Sequence, residues 1–368
     1  MRCQLGLQSL KAKHNMKPFA QSHRSIRRML IRSTNWIGDA IMTTPAIRAI
    51  RKNFPHTHIT LLAKPWVVPV FQYSPHVDHI MIYDSNAYHA GLKGKISLIQ
   101  DIRDQNFDAS ILLQNAIEAA IITSLAGIKR RVGFNTDARG LLLTHGVPIS
   151  KAIKRIHQTS YYVQMLESVG IQNSGLDLEL FLGLADRLSA YRRLQKINPS
   201  PDIRWIGMNP SATYGSAKQW FPKRFAQLAD RIARNHHAGI LIFGGPKDQK
   251  LGERVCEMMQ TPAVNLAGQT SLGMAMALIQ KCHAFITNDS GLMHIACALQ
   301  TPLVAIFGST NPITTGPIGK NSQIVQVKTP CSPCLLTECP KKYHICMDAV
   351  SVDMVYQKVE AMLEYSDC

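Results

Sequence analysis

Three loops carry the residue types that chemistry needs. The first is Asn35-Trp36-Ile37-Gly38-Asp39, in which Asp39 is the only acidic residue of the first 77 positions. An isolated carboxylate at the carboxyl end of a strand-like run is a candidate general base for an attacking hydroxyl. A capping aspartate beside a short helix is the competing reading. The second loop, Gly207 to Trp220, combines small residues, the hydroxyls of Ser211 and Thr213, and one ammonium, Lys218. Backbone N–H groups, hydroxyls and a lysine are what neutralise a diphosphate, although neither a GxGxxG nor a Walker A pattern is present. The third, Thr287 to Ala296, holds Asp289, Ser290, Gly291 and His294 and leads into a helix. Free N–H groups at a helix start attract an anion, and Asp289 can accept hydrogen bonds from sugar hydroxyls. The alternative is a capping Asp or Ser with His294 simply packed. A fourth loop after a strand, ending at Asp248, could bring that carboxylate near a ribose.

A different chemistry is written into the cysteines. Cys331, Cys334, Cys339 and Cys346 stand at loop-sized spacings with His344 nearby, compatible with tetrahedral zinc. A loop of free or partly oxidised thiols packing between domains is the favoured reading. Nine cysteines in 368 residues, with no secretory apolar segment at the start, point to a reducing compartment rather than a disulfide framework.

The elements that must position these loops alternate. From Met29 onward short β-branched runs at 29–34, 58–63, 79–83, 109–113 and 131–134 are separated by helical patterns, with residues 35–43 read as a loop. Thr44-Pro45 supplies a cap and a proline for the helix that follows. A polar stretch with two prolines at 195–202 reads as a linker. Strands at 203–209, 238–243, 263–266, 284–287 and 302–307 then alternate with helices. The expectation is α/β: two Rossmann-like domains with a cleft between the carboxyl ends of their strands. The domains are placed at 29–190 and 203–350, with a terminal helix at 351–368 and a basic extension or mis-assigned start at 1–28.

Charge narrows the class. The chain carries +17, and eight of those charges lie in residues 1–32, where no acid occurs. Such an arm could touch an anionic membrane or RNA, but it has only Phe19 among its basic residues and no recognisable nucleic-acid module. A nicotinamide oxidoreductase would need a glycine fingerprint where Asn35 to Asp39 stand. No apolar run reaches the ~20 residues of a membrane span.

Taken in order, Trp-Ile-Gly-Asp, Asn-Pro-x-Ala-Thr-x-Gly-x-Ala-Lys-x-Trp, Asn-Asp-Ser-Gly-Leu-Met-His-x-Ala and Pro-x-Val-Ala-Ile-Phe-Gly-Ser-Thr-x-Pro resemble the ADP-heptose:lipopolysaccharide heptosyltransferases, family 9 of the glycosyltransferases. The resemblance covers residues 29 to 365, and the cysteine pattern is most similar to the type II branch, which adds the second heptose. A type I enzyme or another family member would share most of the other motifs. The resemblance implies a GT-B fold and an inverting transfer from ADP-heptose to a lipid A-Kdo-heptose acceptor, without a required cofactor or metal. It also implies peripheral work at the cytoplasmic face of the inner membrane and no nucleic-acid partner. Asp39 matches the catalytic base and Lys218 the lysine on the donor diphosphate. Ser211, Thr213, Asp248, Asp289, Ser290, Gly291 and His294 fall on the donor side; Asn35, Trp36, Gly38 and Arg131 fall on the acceptor side. Tyr214 departs from the type I pattern, which has a second threonine there. Arg130, Arg139, Lys151, Lys154 and Arg155 are further candidates to steer an anionic acceptor.

Overall fold

The structure, a computed structural model, describes Phe19, residues 25–341 and residues 343–365. Most of the basic arm therefore lies outside the described residues.

Two parallel sheets of six strands carry the chain. The first contains β1 (Arg28–Arg32), β2 (His58–Ala63), β3 (His79–Ile82), β4 (Ala109–Leu112), β5 (Arg130–Phe134) and β6 (His145–Val147), in the order β3-β2-β1-β4-β5-β6. Between and after them come α1 (Ile37–Met42), α2 (Thr44–Asn53), α3 (Val68–Phe71), α4 (Gly91–Asp104), α5 (Ile117–Leu125) and α6 (Gln158–Glu167). After α7 (Leu184–Ile197) the second sheet begins. Its strands are β7 (Arg204–Asn209), β8 (Ala238–Ile242), β9 (Ala263–Asn265), β10 (Ala284–Asn288), β11 (Leu303–Phe307) and β12 (Ser322–Gln326). They are ordered β12-β11-β10-β7-β8-β9, the same winding as the first sheet. Its helices are α8 (Pro222–His236), α9 (Gln249–Met258), α10 (Leu272–Gln280), α11 (Gly291–Ala298), α12 (Pro312–Thr315), α13 (Ile345–Asp348) and α14 (Val352–Tyr365).

Strands covered on both faces are apolar throughout rather than alternating. β10 and β11 show this, with all five residues of each buried. In each sheet the order reverses at one point, between β1 and β4 and between β7 and β10. Connections leave to opposite faces there, so a crevice opens at the carboxyl ends of the strands. Asp39 follows β1, Ser211 follows β7 and Asp289 follows β10. The three chemistry-bearing loops thus sit at the two switch points.

Two details differ from the sequence reading. Residues 35–43 are not all loop: Ile37 to Met42 form α1 because Ala40, Ile41 and Met42 bury themselves in the core. Asp39 is therefore held in the first turn of a helix. The polar stretch after 195 begins inside α7, which packs on α10 of the second unit, with Arg187 Nη1 donating to Gln280 Oε1 at 2.9 Å. Among the described residues, no helix is long and apolar enough to cross a membrane.

Candidate active site

The two units meet where α1 faces α11. A Cβ on Gly38 would stand 3.0 Å from His294 Cδ2 and 3.5 Å from the Cα of Gly291, and one on Gly291 would stand 3.5 Å from Gly38 N. Glycine at both positions lets the two helix starts touch across the cleft. His157, which caps α6 by accepting from Thr159 N at Nδ1, donates from Nε2 to Gly316 O at 2.8 Å in the other unit.

On the second sheet the polar groups form a bonded network. Lys218 Nζ donates to Asp289 Oδ2 at 2.7 Å, and Thr310 Oγ1 donates to the same oxygen at 2.7 Å. Both ion-pair partners are largely shielded from solvent, where such bonds are short and strong. Asn209 ties three loops together. Its amide donates to Ser290 Oγ at 2.8 Å and Thr287 Oγ1 at 3.1 Å, and its carbonyl accepts from Ser211 Oγ at 2.9 Å. Asn288 does the same one layer over, donating to Pro210 O and accepting from Trp220 N. Ser290 is the N-cap of α11, with no side-chain bond to its N–H groups, so the start of that helix keeps open donors.

The cysteine-rich loop braces this network from behind. Thr337 O accepts from Ala217 N at 3.0 Å and Ser309 O from Leu335 N at 2.8 Å, while Ser332 Oγ donates to Gly308 O. Gly215, at φ 155°, lies so close to Thr337 that any side chain there would collide with it. Cys331, Cys334, Cys339, Cys346 and His344 all line one cavity of about 160 Å³. Their thiols are free. No group of three or more His, Cys, Asp or Glu converges to hold a metal ion among the described residues.

On the first sheet, Asp39 stands without a hydrogen-bond partner for its carboxylate among the described residues. Burial pushes its pKa up to about 6, against the pull of Lys218 and with a further push from Asp289. Those opposing influences come from the other sheet, so Asp39 faces the Lys218–Asp289 pair across the cleft. A carboxylate poised near neutrality is matched to proton abstraction at working pH. His294 is buried, and desolvation pushes its pKa down to about 4, so it is neutral. Its Nδ1 and the hydroxyl of Ser309 are buried without hydrogen-bond partners among the described residues.

Not every expected residue reaches this cleft. Asn35 orients the first loop, accepting from Arg32 Nη2 at 2.7 Å and, through its carbonyl, from Trp66 Nε1 at 2.7 Å. Trp36 projects into solvent. Thr213 is exposed beside Tyr214, whose ring lies 4.9 Å from Lys218 Nζ. Asp248 caps its own turn instead, accepting from Gly245 N at 2.8 Å. Arg131 is at the amino end of β5, opposite the cleft, and spends its guanidinium on Leu142 O and Ile128 O. Arg139 is buried and bonds Phe134 O, Gln114 O and Asn115 Oδ1. Both guanidiniums are spent on holding neighbouring chain. Sequence reasoning passed over Thr310, Asn209 and His157. Thr310 and Asn209 stand within quoted motifs, but His157 carries no local signal.

Two doubly wound sheets joined by a cleft, with a desolvated carboxylate on one side and a lysine beside an open helix start on the other, define a GT-B transferase of activated sugars. The comparisons with known proteins agree. The model of glycosyltransferase family 9 (heptosyltransferase) matches residues 95–344, and the chain belongs to that family. It is 26% identical over 347 residues to lipopolysaccharide heptosyltransferase 2 of Escherichia coli, covering 91% of this chain and 98% of that one. It is 29% identical over 349 residues to lipooligosaccharide heptosyltransferase 2 of Haemophilus ducreyi, covering 91% and 99%. The solved structure of E. coli ADP-heptose lps heptosyltransferase II superposes with a TM-score of 0.78 at 25% identity, over 93% of this chain and all of that one.

Proposed function

We propose that this glycosyltransferase moves L-glycero-D-manno-heptose from ADP-heptose onto the first heptose of the lipopolysaccharide inner core, inverting the anomeric centre. It would work peripherally at the cytoplasmic face of the inner membrane. The observation that carries the reading is Asp39 facing the Lys218–Asp289 pair across the cleft. The acceptor hydroxyl gives its proton to the Asp39 carboxylate and its oxygen bonds the anomeric carbon. The bond from that carbon to the diphosphate breaks, and its electron pair leaves on ADP. Lys218 and the open N–H groups of α11 stabilise that growing negative charge. Asp289, held by Lys218 and Thr310, is available to sugar hydroxyls, and His294 Nδ1 and Ser309 Oγ supply further unpaired polar atoms. The lysine and helix start supply positive charge without a metal, so activity should survive extensive chelation; a complete loss restored by one divalent metal would overturn that part.

The type II assignment rests on the names of full-length relatives and is tested by the acceptor. Lipid A bearing two Kdo residues, with and without one heptose, is offered together with ADP-heptose. Product from the monoheptosylated acceptor alone supports the reading. Product from the heptose-free acceptor makes the enzyme type I, and product from neither, in protein that binds ADP, removes the sugar assignment.

A further inference from the structure

Two cations are buried at the carboxyl ends of β1 and β2: Arg32 is 2% exposed and Lys64 6%. Along those strands Leu30 and Leu62 pack with Tyr83, with Leu98 and Ile102 of α4 and with Ile122 of α5. Alternation brings Arg32 and Lys64, each two residues further on, over the same face at the end of that layer. Both stand against the ring of Tyr83, the Lys64 ammonium 3.5 Å and the Arg32 guanidinium 5.4 Å from its centre. Burial pushes Lys64 down to about 8, and the charge of Arg32 adds to that push. The two cations differ in their partners. The Arg32 guanidinium donates to Ser33 O, Leu62 O and Asn35 Oδ1. Lys64 has no hydrogen-bond or ion-pair partner among the described residues. The acids that act on it are Glu118 and Asp84, and both are already engaged. Glu118 accepts from the Tyr83 hydroxyl at 3.0 Å and pairs with Lys95 at 2.8 Å, while Asp84 accepts from Asn86 N and Ala87 N. Asp101, further out, lies beside His89. The hydroxyl of Thr34, just past β1, is likewise buried without a partner among the described residues. A shielded ammonium of this kind is stabilised most by an anion at hydrogen-bond distance.

We propose that Lys64, backed by Arg32, is an anion subsite that holds an acidic group of the acceptor, a proposal that rests on the reaction above. Its place says which part of the acceptor it meets. Asp39 is carried by α1, whose Ala40, Ile41 and Met42 pack in the layer that also holds α2 and α6. Lys64 stands at the same end of the sheet but on the α4 and α5 side. A group held there belongs to a sugar beside the one whose hydroxyl is attacked. On a lipid A-Kdo-heptose acceptor that neighbour is Kdo, a sugar acid, and its carboxylate suits an ammonium. A phosphate ester on the same oligosaccharide offers the same chemistry. Lys64 makes the contact, with the Thr34 hydroxyl as a second donor. Arg32 is a positioning residue: it adds charge and, through Asn35, holds the loop that leads to Asp39.

The test uses the full chain, ADP-heptose and a deacylated, water-soluble acceptor carrying Kdo and one heptose. That acceptor is offered with its Kdo carboxylates free, as methyl esters, or after phosphatase treatment. Lys64→Met keeps the stem and removes the charge. It should raise the acceptor KM by about 10- to 100-fold, the loss of one charge-assisted hydrogen bond, while kcat and ADP affinity stay near wild type. On the methyl ester, wild type should show the same loss and Lys64→Met no further one. Lys64→Arg should recover most of the affinity for the free acid. The same convergence on phosphatase-treated acceptor, in place of the ester, assigns the subsite to a phosphate. A Lys64→Met enzyme with the wild-type KM, or with an equal loss on every form of the acceptor, overturns the proposal. If Lys64→Met does not fold, wild type alone decides: one KM for all three forms overturns the subsite. Calorimetry with the same acceptor fragment separates the two readings. Binding that needs both Lys64 and the acidic group, in protein that transfers no heptose, sinks the reaction and keeps the subsite; transfer indifferent to Lys64 does the reverse.

Discussion

Behind the second sheet's half of the cleft, Asn209 ties Ser211 to Ser290, Lys218 and Thr310 both hold Asp289, and Asn288 pins the loop after Lys218 at Trp220. On the first sheet's half, Asp39 makes no such bond among the described residues, and the surrounding loops expose Trp36, Trp66 and Tyr88. The contrast follows from what each half meets. A nucleotide diphosphate brings dense charge, and positive groups stabilise it best when fixed beforehand. A base works by the opposite device: it must be desolvated and left unpaired so that its proton affinity rises. The same burial that raises Asp39 would be wasted if a neighbouring donor satisfied it.

Substitutions on either side sharpen that contrast. The largest effect is expected from Asp39→Asn, which removes the base but keeps the shape. Single-turnover transfer should fall by about a thousandfold, within the range of general-base contributions, while ADP affinity stays within a few-fold. Next is Lys218→Met. It should lower kcat by about 10²- to 10³-fold, as for loss of one charge-stabilising donor, and should weaken ADP as well, which calorimetry would detect. Thr310→Val removes one of two bonds to Asp289 and should cost about tenfold in kcat/KM for the donor, given ~1.5 kcal/mol for a bond to a charged group.

The smallest effect is on stability. Asp39 sits at about 6 in the fold against an ordinary carboxylate value near 4, so its ionisation opposes folding. Below about pH 4 the group is protonated in both states and the penalty is absent; it grows through pH 6 and is complete above it. Asp39→Asn should therefore be more stable than wild type by up to about 3 kcal/mol at pH 8, with the difference vanishing near pH 4. Thermal unfolding at the two pH values measures this. The wild-type transfer rate should in turn rise with pH through about 6, and a flat profile would mean Asp39 is not the base.

Much of this was legible in the chain because parallel strands announce themselves as apolar runs. β2 (His58–Ala63) and β8 (Ala238–Ile242) fall where the apolar pattern placed them. The short or peripheral elements escaped. β6 has only three residues, β12 is an edge strand with exposed Gln323 and Ile324, and α1 packs six residues around Gly38 with no capping side chain. Among site residues, Asp39, Lys218 and Asp289 stood out because their charges are rare in their loops. Asn209 and Thr310 lie inside the quoted motifs, but they act through bonds to Ser290 and Asp289, far away in sequence, so the motifs do not reveal their roles. Arg131 misled for the same reason: its charge is visible in sequence, but its position at the amino end of β5 is not.

The division of labour across the cleft is tested most directly by measuring ADP affinity and single-turnover transfer side by side in wild type, Asp39→Asn and Lys218→Met. The account predicts that Asp39→Asn binds ADP like wild type but is nearly silent in transfer, and that Lys218→Met loses both. If Asp39→Asn keeps more than a tenth of the transfer rate, or loses ADP in step with it, the two halves do not divide the work as described.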